Sequence, residues 1–157
     1  MKGRTRAAIN RNLKSIEDLK EKKREVFRVI DKVRTDYKRW ELAIIRIDQK
    51  ESFKKEYDNL SNGKEVNSKS QIYKVLPYLD DNGVMRSQTR ISNTEENREK
   101  FGNDRINPII MHRESHLTTL IIMKEHNLMV HNNEKTVVIN LLQRFYINKV
   151  RRTVHNA

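Results

Sequence analysis

Residues 72–91 read IYKVLPYLDDNGVMRSQTRI, and this stretch carries the signal that the fold contains β structure as well as helices. Asp81, Asn82 and Gly83 lie between two apolar runs, and Asn and Gly accept the positive φ that tight hairpin turns require. The stretch therefore predicts a β-hairpin. A second apolar run, IIM, predicts a further short strand over residues 108–112, placed to pair with the hairpin.

The chain before the hairpin has the composition of continuous helix. Neither Gly nor Pro occurs from residue 4 to residue 62, and Lys, Glu, Arg and Leu are frequent. Alternate steps of three and four residues from Ile9 to Ile47 reach twelve positions, ten of them apolar, which is the spacing of a heptad seam. Beyond Ile47 the apolar stripe resumes at Phe53 in a different phase. These residues are predicted to form one long helix or two.

Three helical patterns follow the predicted strand and close the sequence. The helices are predicted at about residues 114–130, 134–144 and 149–157. Ser115 and Asn133 are the expected N-terminal caps of the first two, because their side chains can accept hydrogen bonds from the free amides of a first turn. With the N-terminal helical segment, these patterns predict a mainly α fold with a small antiparallel β element (α+β).

Two polar stretches are predicted to be loops. Ser, Asn and Gly gather in residues 60–71, which we also take as a boundary. We expect a helical linker or extension at residues 1–62 and a small domain at residues 63–157. The stretch NTEENREKFGND, residues 93–104, predicts the second loop.

The chain of 157 residues carries a formal net charge of +12 and has a pI of about 10.0. This basic balance favours polyanionic partners, nucleic acid above all. No apolar run approaches the roughly 20 residues that a membrane-spanning helix needs, and the N-terminal residues lack the apolar core of a signal peptide. We therefore expect an intracellular protein, cytoplasmic or nuclear, with no membrane partner.

The residue patterns of catalytic sites are missing from the sequence. The chain has no cysteine, which excludes a thiol nucleophile and a thiolate-ligated metal held by this chain alone. Asp80 and Asp81 are adjacent, but a hairpin turn accounts for both because Asp bonds its own backbone there. Glycine occurs only four times, and no Gly-rich phosphate loop or nucleophile elbow is present. We expect a protein that is not an enzyme and takes no small-molecule substrate.

Two histidines, His126 and His131, are the candidate metal ligands. They are five residues apart, about 140° around an ideal helix, and so cannot share a metal ion from one unbroken helix. If the helix ends between them, near Asn132 and Asn133, the second ring can turn back toward the first. Two ordinary helix histidines are the alternative interpretation.

Four ordered segments connect these features to a known family. They are YKVLPYLDDNGVMRSQTRISNT, NPIIMHRESHLTTLII, EHNLMVHNNEKTVVINLLQRFYI and RRTV, and they lie within residues 70–154. Their order and spacing resemble the integrase zinc-binding region of Bel/Pao-type LTR retrotransposon polyproteins. The earlier segment AIIRIDQKESFKKEYDNLSNGKEV is similar to the linker that precedes the integrase in these polyproteins.

The resemblance implies a role for the histidines and for the chain. His126 and His131 match the first two ligands of the family's His-His-Cys-Cys zinc site, whose cysteines are expected a few residues beyond Ala157. Because a structural zinc site needs four ligands, we expect zinc binding by this chain to be weak or absent. The chain would be a non-catalytic fragment of a retrotransposon integrase that takes part in DNA integration, with the rest of the integrase as a partner.

Basic residues near the last predicted helix are the candidate DNA contacts. Arg144, Lys149, Arg151 and Arg152 are expected to meet phosphates. The alternative interpretation of these four is a solvated helix face.

A function of a different class is also open. The apolar seam from Ile9 to Ile47 predicts a coiled coil with a second copy of the chain or with another partner, which would make this an interaction or oligomerisation protein. Tyr37 and Trp40 fit such a dimer poorly, because bulky aromatic side chains crowd the seam between two long helices.

Overall fold

The computed structural model describes residues 2–88, 94–128 and 133–155 of the chain. Contacts divide the chain into two compact units, Met1–Glu41 and Leu42–Ala157. Among the described residues, the first unit is the N-terminal part of one helix, and the second contains the remaining helices and a small sheet of four strands. The predicted mainly α fold with a small β element is confirmed.

The N-terminal segment forms one long helix followed by a short one. Helix α1 spans Lys2–Ser52, and helix α2 spans Lys54–Ser61. Phe53 separates them with a φ of −125° and a ψ of 40°, and its side chain is buried, as is that of Tyr57. Phe53 and Tyr57, with which the apolar stripe resumes in its new phase, are therefore core residues.

The predicted hairpin is present, with strands shorter than residues 72–91. A 3₁₀ turn at Tyr73–Val75 leads into strand β1, Pro77–Leu79. Strand β1 pairs antiparallel with strand β2, Met85–Ser87. Residues 89–91 of the predicted hairpin lie outside the described part of the chain.

Asp80 and Gly83 form the turn between the two strands. The backbone amides of Asn82 and Val84 donate to Oδ1 of Asp80 at 3.0 and 2.9 Å. Gly83 has a φ of 69°, and its amide donates to the Asp80 carbonyl at 2.8 Å. The side chain of Asp80 thus satisfies the amides that the tight turn leaves without strand partners.

Two short helices occupy the stretch predicted to be a loop at residues 93–104, so that prediction was wrong. They are α3, Glu95–Phe101, and α4, Asn103–Ile106. Ile106 at the end of α4 is completely buried, which fixes this polar stretch against the core. Strand β3, Ile109–Met111, follows and pairs antiparallel with β2, as the run IIM predicted.

The described residues after β3 form three helices, as predicted, and one strand. The helices are α5, His116–Leu128, α6, Glu134–Leu142, and α7, Val150–His155. Both predicted caps are confirmed. The Leu117 amide donates to Oγ of Ser115 at 3.1 Å, and the Thr136 amide donates to Oδ1 of Asn133 at 3.2 Å.

Strand β4, Phe145–Ile147, was not predicted. It lies parallel to β3, with Tyr146 opposite Ile110, and completes a sheet of order β1-β2-β3-β4. The sheet is therefore mixed, whereas only antiparallel pairing was expected. A parallel partner is distant in sequence, so no local turn signal announces it.

Alternation along the strands distributes the core over the two faces of the sheet. One face packs against α5, α6 and α7, and its cluster includes Ile109, Met111, Phe145, Ile147, Ile122, Val137 and Leu141. The other face carries a second cluster that includes Met85, Ile110, Phe53, Tyr57, Val66 and Ile72.

Residues before position 63 contribute to both clusters. Ile45 of α1 belongs to the first, while Phe53 and Tyr57 belong to the second. The division into units at Glu41 and Leu42 therefore falls earlier than the boundary predicted between residues 62 and 63.

Candidate nucleic-acid interface

Three of the four residues predicted to bind phosphate lie together after β4. Lys149 has a φ of 57°, and this left-handed conformation lies in the turn from β4 into α7. The Arg152 amide donates to the Lys149 carbonyl at 3.0 Å. Lys149, Arg151 and Arg152 are all exposed. Three cations within one turn concentrate positive charge at the surface, which suits a phosphate backbone.

The fourth predicted residue, Arg144, lies at the opposite end of β4. Its guanidinium carbon lies 5.0 Å from the ring centre of Phe145, and its Nε lies 3.7 Å from Oδ2 of Asp104. The carboxylate offsets part of the positive charge, and the ring restrains the side chain. The structure therefore separates Arg144 from the other three residues.

A groove of about 600 Å³ lies beside Arg151. Its lining residues are Glu134, Lys135, Val138, Ile139, Leu142 and Arg151. Lys135 adds a second cation to the edge of the groove, while Oε1 of Glu134 lies 3.2 Å from Nδ1 of His155. The sequence did not identify Lys135, because its nearness to Arg151 depends on how α6 packs against α7.

A buried cation, Arg86, links the hairpin to α4. Its Nε donates to Oδ2 of Asp80 at 2.6 Å, and its Nη1 donates to Oδ1 of Asp104 and to the Asn107 carbonyl, both at 2.9 Å. Burial lowers the pKa of Arg86, but hydrogen bonds to Asp80 and Asp104 outweigh burial and raise that pKa above its ordinary value. Arg86 is therefore charged and committed to the fold, and it does not belong to a surface that binds phosphate.

Of the two candidate metal ligands, the structure describes only His126. His126 is half-buried near the C-terminal end of α5, while His131 lies outside the described residues. Residues 2–88, 94–128 and 133–155 contain no group of three His, Cys, Asp or Glu side chains that could hold a metal ion. The chain also has no cysteine, so it lacks the cysteine ligands of the His-His-Cys-Cys site in the family that its sequence resembles.

Two other histidines have local partners within the second unit. The ring of His112 packs edge-on against Phe53 with the ring centres 5.3 Å apart, and its Nδ1 accepts from the Glu114 amide at 3.4 Å. His155 faces Glu134. Their contacts are those of packing and surface residues.

Comparison with known proteins adds no relative: no family model, no curated protein and no solved structure matches this chain. None of the described helices combines the length and the apolar character that crossing a membrane requires. Support for a function therefore comes from the residues and their geometry, together with the resemblance in sequence.

Proposed function

We propose that this chain is a non-catalytic nucleic-acid-binding protein, derived from the zinc-binding region and linker of a Bel/Pao-type retrotransposon integrase, with DNA as its ligand. The observation that carries the proposal is the exposed group Lys149, Arg151 and Arg152 in a chain of net charge +12. Counterion release from phosphates drives such binding, so exposed cations matter more than an enclosed pocket. A role on DNA places the chain inside the cell, in the cytoplasm or the nucleus.

The test is the salt dependence of binding to a fluorescent DNA duplex. The variant Lys149→Gln/Arg151→Gln/Arg152→Gln removes three charges from this group. A matched control, Lys54→Gln/Lys55→Gln/Lys64→Gln, removes three charges from exposed lysines elsewhere in the second unit. Each phosphate contact contributes about 0.9 to the slope of log affinity against log salt, so losing three contacts reduces the slope by about 2.7.

The proposal predicts that reduction for the first variant and a much smaller one for the control. If both variants weaken binding equally, the charge acts diffusely and this group is not the contact surface. If the unaltered chain does not bind duplex at low salt, or binds independently of salt, the DNA-binding role is removed.

A further inference from the structure

The first unit carries an exposed apolar face in heptad spacing. Leu19, Val26, Ile30, Val33, Tyr37 and Trp40 occupy successive seam positions on α1, apart from Lys23. Their exposed fractions run from 46% at Ile30 to 71% at Trp40. Long helices gain most of their stability from packing an apolar face. This apolar face is larger than the apolar patches that monomeric proteins usually expose to solvent.

The second unit uses a different side of the same helix for its own core. Ile45 and Gln49 are buried there, whereas Ile44 and Ile47 are 51% and 63% exposed. Ile44 and Ile47 are the next two seam positions after Trp40. At 100° per residue, Ile44 lies about 140° around the helix from Gln49, so the buried side and the seam are distinct. The seam therefore lies on a different side of α1 from the residues that are buried in the core.

We propose that the apolar face of α1 is a docking surface for a second copy of this chain, with the two helices antiparallel. In the register we assign, Ile30 lies beside Val33 of the second copy. Val26 then lies beside Tyr37 of the second copy, and Lys23 beside Trp40. Each large aromatic side chain meets a smaller or cationic one, as close packing of a seam requires.

Charge favours this orientation over the parallel one. A parallel pair in register would bring Lys23 against Lys23 and Trp40 against Trp40, which adds repulsion and crowding. The antiparallel register instead places the Lys23 ammonium against an indole face, which is a cation–π contact. Lys23 already makes a contact of this kind within its own helix, where its Nζ lies 5.9 Å from the ring centre of Phe27.

Residues that flank the seam agree with the same orientation. In the antiparallel register Lys20 lies beside Glu41 of the second copy, and these side chains have opposite charge. In a parallel pair Asp36 would lie beside Glu41 of the second copy, and both are acidic. Tyr37 and Trp40, whose bulk argues against a dimer of two long helices, face smaller or cationic side chains in this antiparallel register.

Sedimentation of the full chain at tens of micromolar tests the association. We expect a dimer for the unaltered chain and a monomer for Val33→Glu, which places a carboxylate in the centre of the seam. The control Thr35→Glu adds the same charge on the outer side of α1, where Thr35 is exposed, and is expected to remain dimeric. A monomeric unaltered chain, a trimer or higher species, or equal behaviour of the two variants would overturn the proposal.

Distances between spin labels test the orientation, and the absence of cysteine makes the labelling specific. Glu21→Cys and Lys32→Cys place labels at exposed positions off the seam. In the antiparallel register the two labels are offset along the axis by about 31 Å at position 21 and by about 1.5 Å at position 32, given a rise of 1.5 Å per residue. A parallel dimer gives no axial offset at either position, and equal short distances would overturn the antiparallel arrangement.

A charge exchange gives an independent test of the register. Trp40→Lys is expected to dissociate the dimer, because the introduced ammonium would face Lys23 of the second copy. Combining Lys23→Glu with Trp40→Lys restores opposite charges between the two copies only if positions 23 and 40 are neighbours. Failure of the double variant to regain the dimer contradicts the assigned register.

Discussion

Gln49 and Met85 exchange two hydrogen bonds: the Met85 amide donates to Oε1 of Gln49 at 2.7 Å, and Nε2 of Gln49 donates to the Met85 carbonyl at 2.9 Å. The same Nε2 donates to the Ile110 carbonyl at 2.7 Å. Arg86 opposes Ile109 in the ladder between β2 and β3, so Met85 and Ile110 are the next opposed residues. The side-chain amide of Gln49 therefore continues the ladder and ties α1 to the centre of the sheet.

Replacing Gln49 is expected to destabilise the second unit strongly. The variant Gln49→Met keeps the approximate volume but leaves three buried backbone groups without partners, which is expected to cost about 3 kcal/mol. The same change at an exposed glutamine, Gln88→Met, is the control and should stay within about 0.5 kcal/mol. Urea unfolding followed by circular dichroism measures both. Equal stabilities would mean that the Gln49 bonds contribute nothing beyond packing.

Removing the buried cation Arg86 is expected to destabilise the fold far more than removing a cation from an exposed ion pair. Arg86→Met leaves the carboxylates of Asp80 and Asp104 without their buried cation, and we expect a loss of about 4 kcal/mol. Arg113→Met breaks the pair of Arg113 with Glu114, whose side chains are 36% and 67% exposed, and should cost less than about 1 kcal/mol. Thermal unfolding of the two variants provides the comparison. A loss at position 86 no greater than at position 113 would contradict the structural role of Arg86.

Local signals in the sequence account for the parts of the fold that were predicted. The turn signal of Asp81, Asn82 and Gly83 predicted the hairpin, because Gly83 can take the positive φ that the turn requires. Ser115 and Asn133 predicted the helix starts, because their side chains accept hydrogen bonds from amides two or three residues later. Strand β4 was missed because its partner β3 is distant in sequence. The burial of Gln49 is likewise set by distant strands and has no local signature.

The same distinction applies to the candidate interface. Lys149, Arg151 and Arg152 are close in space because they are close in sequence, so inspection of the sequence could group them. Arg144 was grouped with them as well, but its position is set by Phe145 and by Asp104 of α4. A contact with a residue so far along the chain could not be predicted from charge spacing.

Zinc is expected to leave the stability of the chain unchanged. A ligand present at a hundred times its Kd stabilises the folded state by about 2.7 kcal/mol, so tight zinc binding would clearly raise the melting temperature. We expect a change below about 0.5 kcal/mol on adding zinc to the chelator-treated chain, because cysteine ligands are missing. His131→Ala is the control. Stabilisation by zinc that disappears in this variant would demonstrate a site that two histidines can sustain.

Tyr57 predicts a decline of stability in alkaline solution. Burial raises the pKa of Tyr57 above its ordinary value of 10.0, Arg46 opposes this shift, and Asp80 adds to it. The unfolded chain then loses the phenol proton at lower pH than the folded chain does, so the contribution of this group is complete below pH 10 and is lost as pH rises through the folded pKa.

Absorbance of the ionised phenol tests this directly. The difference between the unaltered chain and Tyr57→Phe isolates one ionisation, whose midpoint is expected above 10.0. Tyr37→Phe, which removes an exposed tyrosine, controls for the loss of a ring hydroxyl. A midpoint for Tyr57 at or below 10.0 would show that burial does not govern its ionisation.

Gly83 and Gly63 separate two effects of adding a side chain. Both have left-handed backbones, with φ of 69° and 68°, so alanine at either position is expected to cost about 1 kcal/mol in backbone strain. At Gly83 a Cβ would also lie 3.3 Å from Oη of Tyr57 and from Cδ of Arg46, whereas at Gly63 nothing lies within 4 Å. The Arg46 chain can bend away, but Tyr57 is buried and its hydroxyl donates to the Gly83 carbonyl at 2.6 Å. We therefore expect Gly83→Ala to destabilise the second unit by about 1 kcal/mol more than Gly63→Ala does. Urea unfolding measures both losses. Equal losses would mean that the hairpin turn moves away from the core without cost.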